Sequence, residues 1–275
     1  MTPHHPLRRI VAASLLGLAA VCGSAHAAKP IVAGSITNSP PMIAYADDGK
    51  TLQGVIVDLA AAMNRHLPAP IEFKPEAFPN LFPAMQSHQI DVAFTMMNDT
   101  PEREKLVDFV DFFNLGTKLL VRHGNPQHVT DLHSLCGKAV STVQGSTQIE
   151  LVVQTNEWCT ARRKAPLTNM QFAQPADARM QVQTGRVAAF LGNSPVMVYI
   201  AKTADGGKLF DVAGPEYQQV PLGIAVAKDQ PALRDQLQKA LQAVIDDGSY
   251  LKVLSKYGVQ GGAVKSAAVN AGAKI

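Results

Sequence analysis

Short runs rich in Val and Ile alternate along this chain with segments whose apolar residues recur at the helical period, and that alternation admits few folds. It specifies an α/β architecture with largely parallel sheets and helices on their faces. Ile31 to Ile36 reads as a strand, followed by turns at Pro40-Pro41 and Asp47-Asp48-Gly49. From Val55 to Leu67 apolar residues at 56, 59, 60, 63 and 67 form one helical stripe. Ile71 to Phe73 and Ile90 to Phe94 are further strands, with a short helix between them that Asn80 could cap. Thr100-Pro101-Glu102 starts another helix, Thr100 as N-cap and Pro101 at the first helical position, which puts Arg103 in the first turn. A strand from Thr117 to Arg122 leads through Gly124-Asn125-Pro126 into a second unit of the same kind. There, strands at 138–143, 167–172 and 187–191 alternate with helices opened by Gly145-Ser146-Thr147 and by Pro175. A strand at 220–227 and helices over 231–246 and 249–257 follow. The segment from Val259 to Ile275 is rich in small residues and lacks periodicity, so partial disorder and no functional role are expected of it.

The first residues form a basic patch at Arg8 and Arg9, an apolar stretch from Ile10 to Val21, and Ala25-His26-Ala27. This is the pattern of a secretory signal peptide spanning 1–27 and cleaved after Ala27. Cys22 follows Val21 rather than a small residue, which disfavours lipid attachment there. No later run of 18 apolar residues could span a membrane. Removal of the leader takes away two arginines and leaves 23 Lys and Arg against 22 Asp and Glu, a balance that argues against nucleic acid as a partner. It also leaves two cysteines, Cys136 and Cys159, and an even count in an exported chain reads as a disulfide. Closing that loop stabilises by roughly 3 kcal/mol in the chain-entropy model.

A series of fragments, taken in order, resembles the family 3 extracellular solute-binding proteins that serve amino-acid ABC transporters. They include Leu52-Gln53-Gly54-Val55-Ile56-Val57-Asp58-Leu59, Leu81-Phe82-Pro83-Ala84-Met85-Gln86-Ser87 running into Ile90-Asp91-Val92-Ala93, Thr100-Pro101-Glu102-Arg103, and Val107-Asp108-Phe109. Leu135-Cys136-Gly137-Lys138, Gln144-Gly145-Ser146-Thr147, Gly185-Arg186-Val187 and Asp246-Asp247-Gly248-Ser249-Tyr250 continue the series. The resemblance covers nearly all of residues 30 to 258. It implies the two-lobed type II periplasmic-binding-protein fold: lobe 1 from 28–121 plus 218–275, lobe 2 from 122–217, joined by a two-strand hinge that closes over a ligand.

Arg103 matches the family position that grips a ligand carboxylate, and its planar fork of donors at a helix start suits that task. On the facing lobe, Thr147 and Ser146 match ligand contacts at a helix start, although Gly-Ser-Thr alone equally describes plain capping. Thr95, Met96 and Asn98 fall on a strand end that faces the ligand in the family, core packing being the other reading of Met96 and Met97. Phe78 matches an aromatic wall, or is an ordinary core phenylalanine. The departures concern the ligand's ammonium. Asn193 stands where the family has an acid, Ile36 occupies another acidic position, and Ser39 replaces an aromatic. The expected ligand is therefore anionic, with an amino group absent, modified or weakly recognised, a standard amino acid remaining open.

The resemblance implies a monomeric binder that hands a small molecule to a membrane permease and uses no cofactor. A lyase on the same fold, of the cyclohexadienyl dehydratase kind, is the alternative, and a membrane-fused sensor module is a third reading. The chain has no GxSxG, HExxH or GxxxxGK motif. His123, His128 and His133 recur every five residues, which scatters them around any helix and argues against a metal site.

Overall fold

The structure is a computed structural model that describes residues 1–2 and 29–272. The expected leader with Cys22 and its cleavage point lies, but for Met1 and Thr2, outside the described residues.

The chain opens with β1 (Ile31–Ser35), the short strands β2 (Asn38–Ser39), β3 (Ile43–Tyr45) and β4 (Leu52–Gln53), and helix α1 (Val55–Met63). β5 (Ile71–Pro75), α2 (Leu81–Gln86), β6 (Val92–Ala93) and the one-turn α3 (Pro101–Glu104) follow. The long strand β7 (Val107–Arg122) leads to β8 (Ala139–Val143), α4 (Gln148–Ala161), β9 (Thr168–Phe172), α5 (Pro175–Gln183), β10 (Ala189–Asn193) and α6 (Ser194–Thr203). A second long strand, β11 (Phe210–Ala227), then α7 (Pro231–Asp246), α8 (Ser249–Lys256) and β12 (Ala268–Val269) complete it.

The main sheet runs β5-β1-β6-β11-β7-β10-β8-β9, with β12 added against β7. Its two flanks, β5-β1-β6 and β10-β8-β9, are parallel, because helices join their strands. The centre is antiparallel: β7 and β11 pair along most of their length and bind each flank to the other. Register breaks between Ala213 and Tyr217 and again between Tyr217 and Val220 interrupt that pairing midway.

Burial explains why these residues form these elements. β1 is covered on both faces, as a parallel strand between two neighbours must be. The α1 stripe of Ile56, Leu59, Ala60 and Met63 is fully inside. That helix stops at Met63 rather than reaching Leu67, because the Asn64 side chain turns back to accept the Ile71 N–H at 2.8 Å and ties the turn to β5. At the other end Gly54 has φ 126°, and a Cβ there would lie 2.6 Å from the Met42 carbonyl oxygen, so only glycine lets α1 start against the Pro40-Pro41 turn. Asn80 caps nothing; its amide donates to Glu76 at 2.9 Å. Cys136 and Cys159 form the expected disulfide, fastening α4 to the turn before β8.

The C-terminal segment is ordered as far as Gly272, in contrast to the disorder expected from its composition. β12 pairs with β7 at Asp111 and Val110. Asn270 Oδ1 accepts the Phe109 N–H at 2.8 Å, and its Nδ2 donates to Asp108 at 3.1 Å. The Ala271 and Gly272 N–H groups reach the carboxylates of Asp111 and Asp99 at 3.1 and 2.9 Å. Side chains far away in the sequence hold this strap in place, which is why local pattern does not reveal it.

Candidate functional site

The strand ends and helix starts of both sheet flanks meet around a small cavity. Arg103 is its charged centre. The Thr100 hydroxyl accepts the Arg103 N–H at 3.3 Å and fixes the start of α3, so that the side chain enters the cavity rather than solvent. One guanidinium nitrogen donates to the Asn98 carbonyl at 2.8 Å, and the other reaches across to the Gly145 carbonyl, also at 2.8 Å. Gly145 adopts φ 72°, and that left-handed turn presents its carbonyl to Arg103. The Phe78 ring lies 5.5 Å from the guanidinium carbon, within cation–π range.

Arg103 is only 9% exposed, and it forms no ion pair with a carboxylate among the described residues. Burial lowers its pKa to about 10, against the pull of Asp99 and Glu102, so it stays cationic at neutral pH. A buried guanidinium bonded to neutral carbonyls is a ready receptor for an anion. Three further polar atoms around the cavity, Ser39 Oγ, Ser146 Oγ and Asn98 Nδ2, are buried with no hydrogen-bond partner among the described residues.

Seven of the nine site residues expected from the sequence line this cavity: Ser39, Phe78, Met96, Asn98, Arg103, Ser146 and Asn193. The other two stand behind it. Thr95 is wholly buried, and its hydroxyl accepts the Ile36 N–H at 3.3 Å. Thr147 donates to Asn98 Oδ1 at 3.0 Å and orients the asparagine. Met97 is core, whereas Met96 faces the cavity. Gln148, Phe190 and Met197 also line it and were not anticipated. Gln148 follows Thr147 directly, and Met197 lies on α6, whose Asn193-Ser194-Pro195 start is a helix signal of the same kind as Thr100-Pro101.

The family model describing bacterial extracellular solute-binding proteins, family 3, matches residues 31–260. The chain belongs to this family. An ancestral arginine-binding protein solved with bound arginine is 31% identical, covers 85% of this chain and 100% of its own, and superposes with a TM-score of 0.75. An Escherichia coli protein described as a putative ABC transporter arginine-binding protein is 27% identical over 91% of this chain and 99% of its own. A third relative, an ancestral amino-acid-binding protein described as a precursor of cyclohexadienyl dehydratase, is 27% identical over 83% of this chain and 95% of its own, with a TM-score of 0.72. This solute-binding protein therefore has the α/β fold of type II periplasmic binding proteins, and the relatives named here are described as binders rather than enzymes.

Proposed function

We propose that this protein is the periplasmic solute-binding component of an ABC importer for an amino acid or a related carboxylate-bearing polar metabolite. The observation that carries this reading is the buried Arg103 guanidinium, held in a cavity between two sheet flanks with no carboxylate of the protein paired to it. The ligand's carboxylate takes that role, with Ser146 on the facing side and Asn98, steadied by Thr147, beside it. Residues 28–121 with 218–275 act as one lobe and 122–217 as the other, and the irregular middle of the β7–β11 pair is the hinge. The protein acts as a monomer that passes its ligand to a membrane permease.

Lyase chemistry is not favoured. Among the described residues no Asp, Glu, His, Lys or Tyr lines the cavity to move a proton. The decisive experiment is calorimetry with a panel of amino acids and organic acids on the parent and on Arg103→Ala. Truncating one partner of a buried charge pair removes about 2–5 kcal/mol, so affinity falls by roughly thirtyfold or more. Binding unchanged in the variant would refute the carboxylate clamp. Export through the leader gives a mature protein beginning at Ala28, which N-terminal sequencing reads directly.

A further inference from the structure

The cavity carries one positive charge and no negative one. Among the described residues Arg103 is the single titratable one in its lining. Of the acids outside the lining, Asp99, next to Asn98 in the chain, turns one carboxylate oxygen to the Gly272 N–H, and Glu216 accepts the Gly116 N–H and the Ser194 hydroxyl. The two asparagines share one pattern. Asn98 Oδ1 is taken by the Thr147 hydroxyl, leaving Nδ2 unpartnered. Asn193 Oδ1 is taken by Gln148 Nε2 at 3.1 Å, and that same amide also reaches Thr117 Oγ1 at 3.0 Å. Besides Arg103, the lining side chains offer a ligand the Nδ2 groups of Asn98 and Asn193, the hydroxyls of Ser39 and Ser146 and the Gln148 amide oxygen, and among the described residues no carboxylate. Phe78, Met96, Val143, Phe190, Val196 and Met197 make up much of the remaining wall.

A zwitterionic amino acid would satisfy Arg103 with its carboxylate, yet would bring an ammonium into a lining that holds no counter-charge among the described residues. Burying an ammonium in that setting is unfavourable. An acid that has a carbonyl oxygen in place of the ammonium neutralises Arg103 and accepts from the free amides. We infer that this site selects a monocarboxylate with an acceptor oxygen close to the carboxylate and an apolar body, and discriminates against a free ammonium or guanidinium. The inference rests on the solute-binding reading and narrows its ligand.

Matched ligands test it on the purified protein, stripped of co-purified solute by denaturant washing and refolded. Calorimetry compares leucine with 4-methyl-2-oxopentanoate and N-acetylleucine, phenylalanine with phenylpyruvate and N-acetylphenylalanine, and adds arginine. In at least one set the oxo or the N-acyl acid is expected to bind tenfold or more tightly than its amino acid, about 1.4 kcal/mol, and the arms show which oxygen is read. Asn193→Asp, which keeps an acceptor for Gln148, is expected to shift the preference tenfold or more towards the amino acid. Amino acids binding as tightly as their partners, or arginine binding best, would overturn the inference and leave the Arg103 clamp standing. A preference that does not move in Asn193→Asp would equally overturn it. If no carboxylate binds and Arg103→Ala changes nothing, the solute-binding reading falls with it.

Discussion

Asn270 offers the sharpest test of how the C-terminal strap is held, and its consequence can be worked out bond by bond. Its Oδ1 accepts the N–H of Phe109, a residue with 0% exposure, and its Nδ2 is one of three donors to Asp108, beside Lys228 and Arg234. In Asn270→Ala the Phe109 amide loses that acceptor, a loss of about 1–3 kcal/mol for a buried donor. The Asp108 bond adds roughly 1 kcal/mol, softened because two cations remain. Asn270 also sits at φ 53°, where alanine suffers about 1 kcal/mol of strain that asparagine tolerates better. The total is near 3–5 kcal/mol, and at about 2–4 °C per kcal/mol for a chain of this size the melting temperature should fall by roughly 10 °C. Asn270→Gly relieves the strain and should lose about 1 kcal/mol less. Thermal unfolding by circular dichroism on the full chain measures both. An Asn270→Ala protein melting within 2 °C of the parent would refute the strap as a structural element.

Two further perturbations follow from the buried acids and the disulfide. Burial raises the Asp99 pKa to about 7; the Gly272 N–H opposes this, and Asp111 and Glu104 reinforce it. With the folded pKa above the ordinary 3.8, the contribution of Asp99 is complete below about pH 4 and is lost as pH rises through about 7. Asp99→Asn should flatten the fall in melting temperature between pH 5 and 8, and an unaltered slope would refute the assignment. Asp108 acts in a different window: burial pushes its carboxyl up, but hydrogen bonds from Lys228, Asn270 and Arg234 outweigh that and hold it low, so its contribution is lost only below about pH 4. For the disulfide, with 23 residues of sequence separation, the double replacement Cys136→Ala with Cys159→Ala should lose about 3 kcal/mol in urea unfolding.

The parts legible in the sequence were those determined locally. The α1 stripe and the Thr100 cap that aims Arg103 each follow from a few neighbouring residues, and the pairing of two cysteines from their even number in an exported chain. The long strands showed only at one end each, at 117–122 of β7 and 220–227 of β11. β7 carries Asp108 and Asp111 among its apolar residues, and their charges are accommodated in a strand only because the strap and Lys228 and Arg234 lie beside them. β11 runs back to Phe210 through exposed polar residues around Glu216, Tyr217 and Gln218, where pairing to β7 is irregular. α6 was passed over although its start carried a signal. Within the site, residue identities pointed to Arg103, Ser146 and Asn193, but the donor and acceptor roles of the asparagines depend on Thr147 and Gln148, and no spacing encodes that.

Under the proposed carboxylate clamp and hinge, Arg103 has two tasks, and they are coupled. Its bonds to the Asn98 and Gly145 carbonyls span the cavity, so the guanidinium holds the two sides together before any ligand contributes. A carboxylate competes with those neutral acceptors rather than with water alone, and the net gain is the difference between a charge-assisted bond and an ordinary one. Part of the loss in Arg103→Ala must then reflect a weaker preference for the closed form, because a ligand that needs closure binds in proportion to the fraction of protein able to close. Asn193→Asp leaves both carbonyl bonds of Arg103 untouched. A change of preference in that variant thus reports chiefly on ligand chemistry, whereas the arginine variant reports on chemistry and closure together.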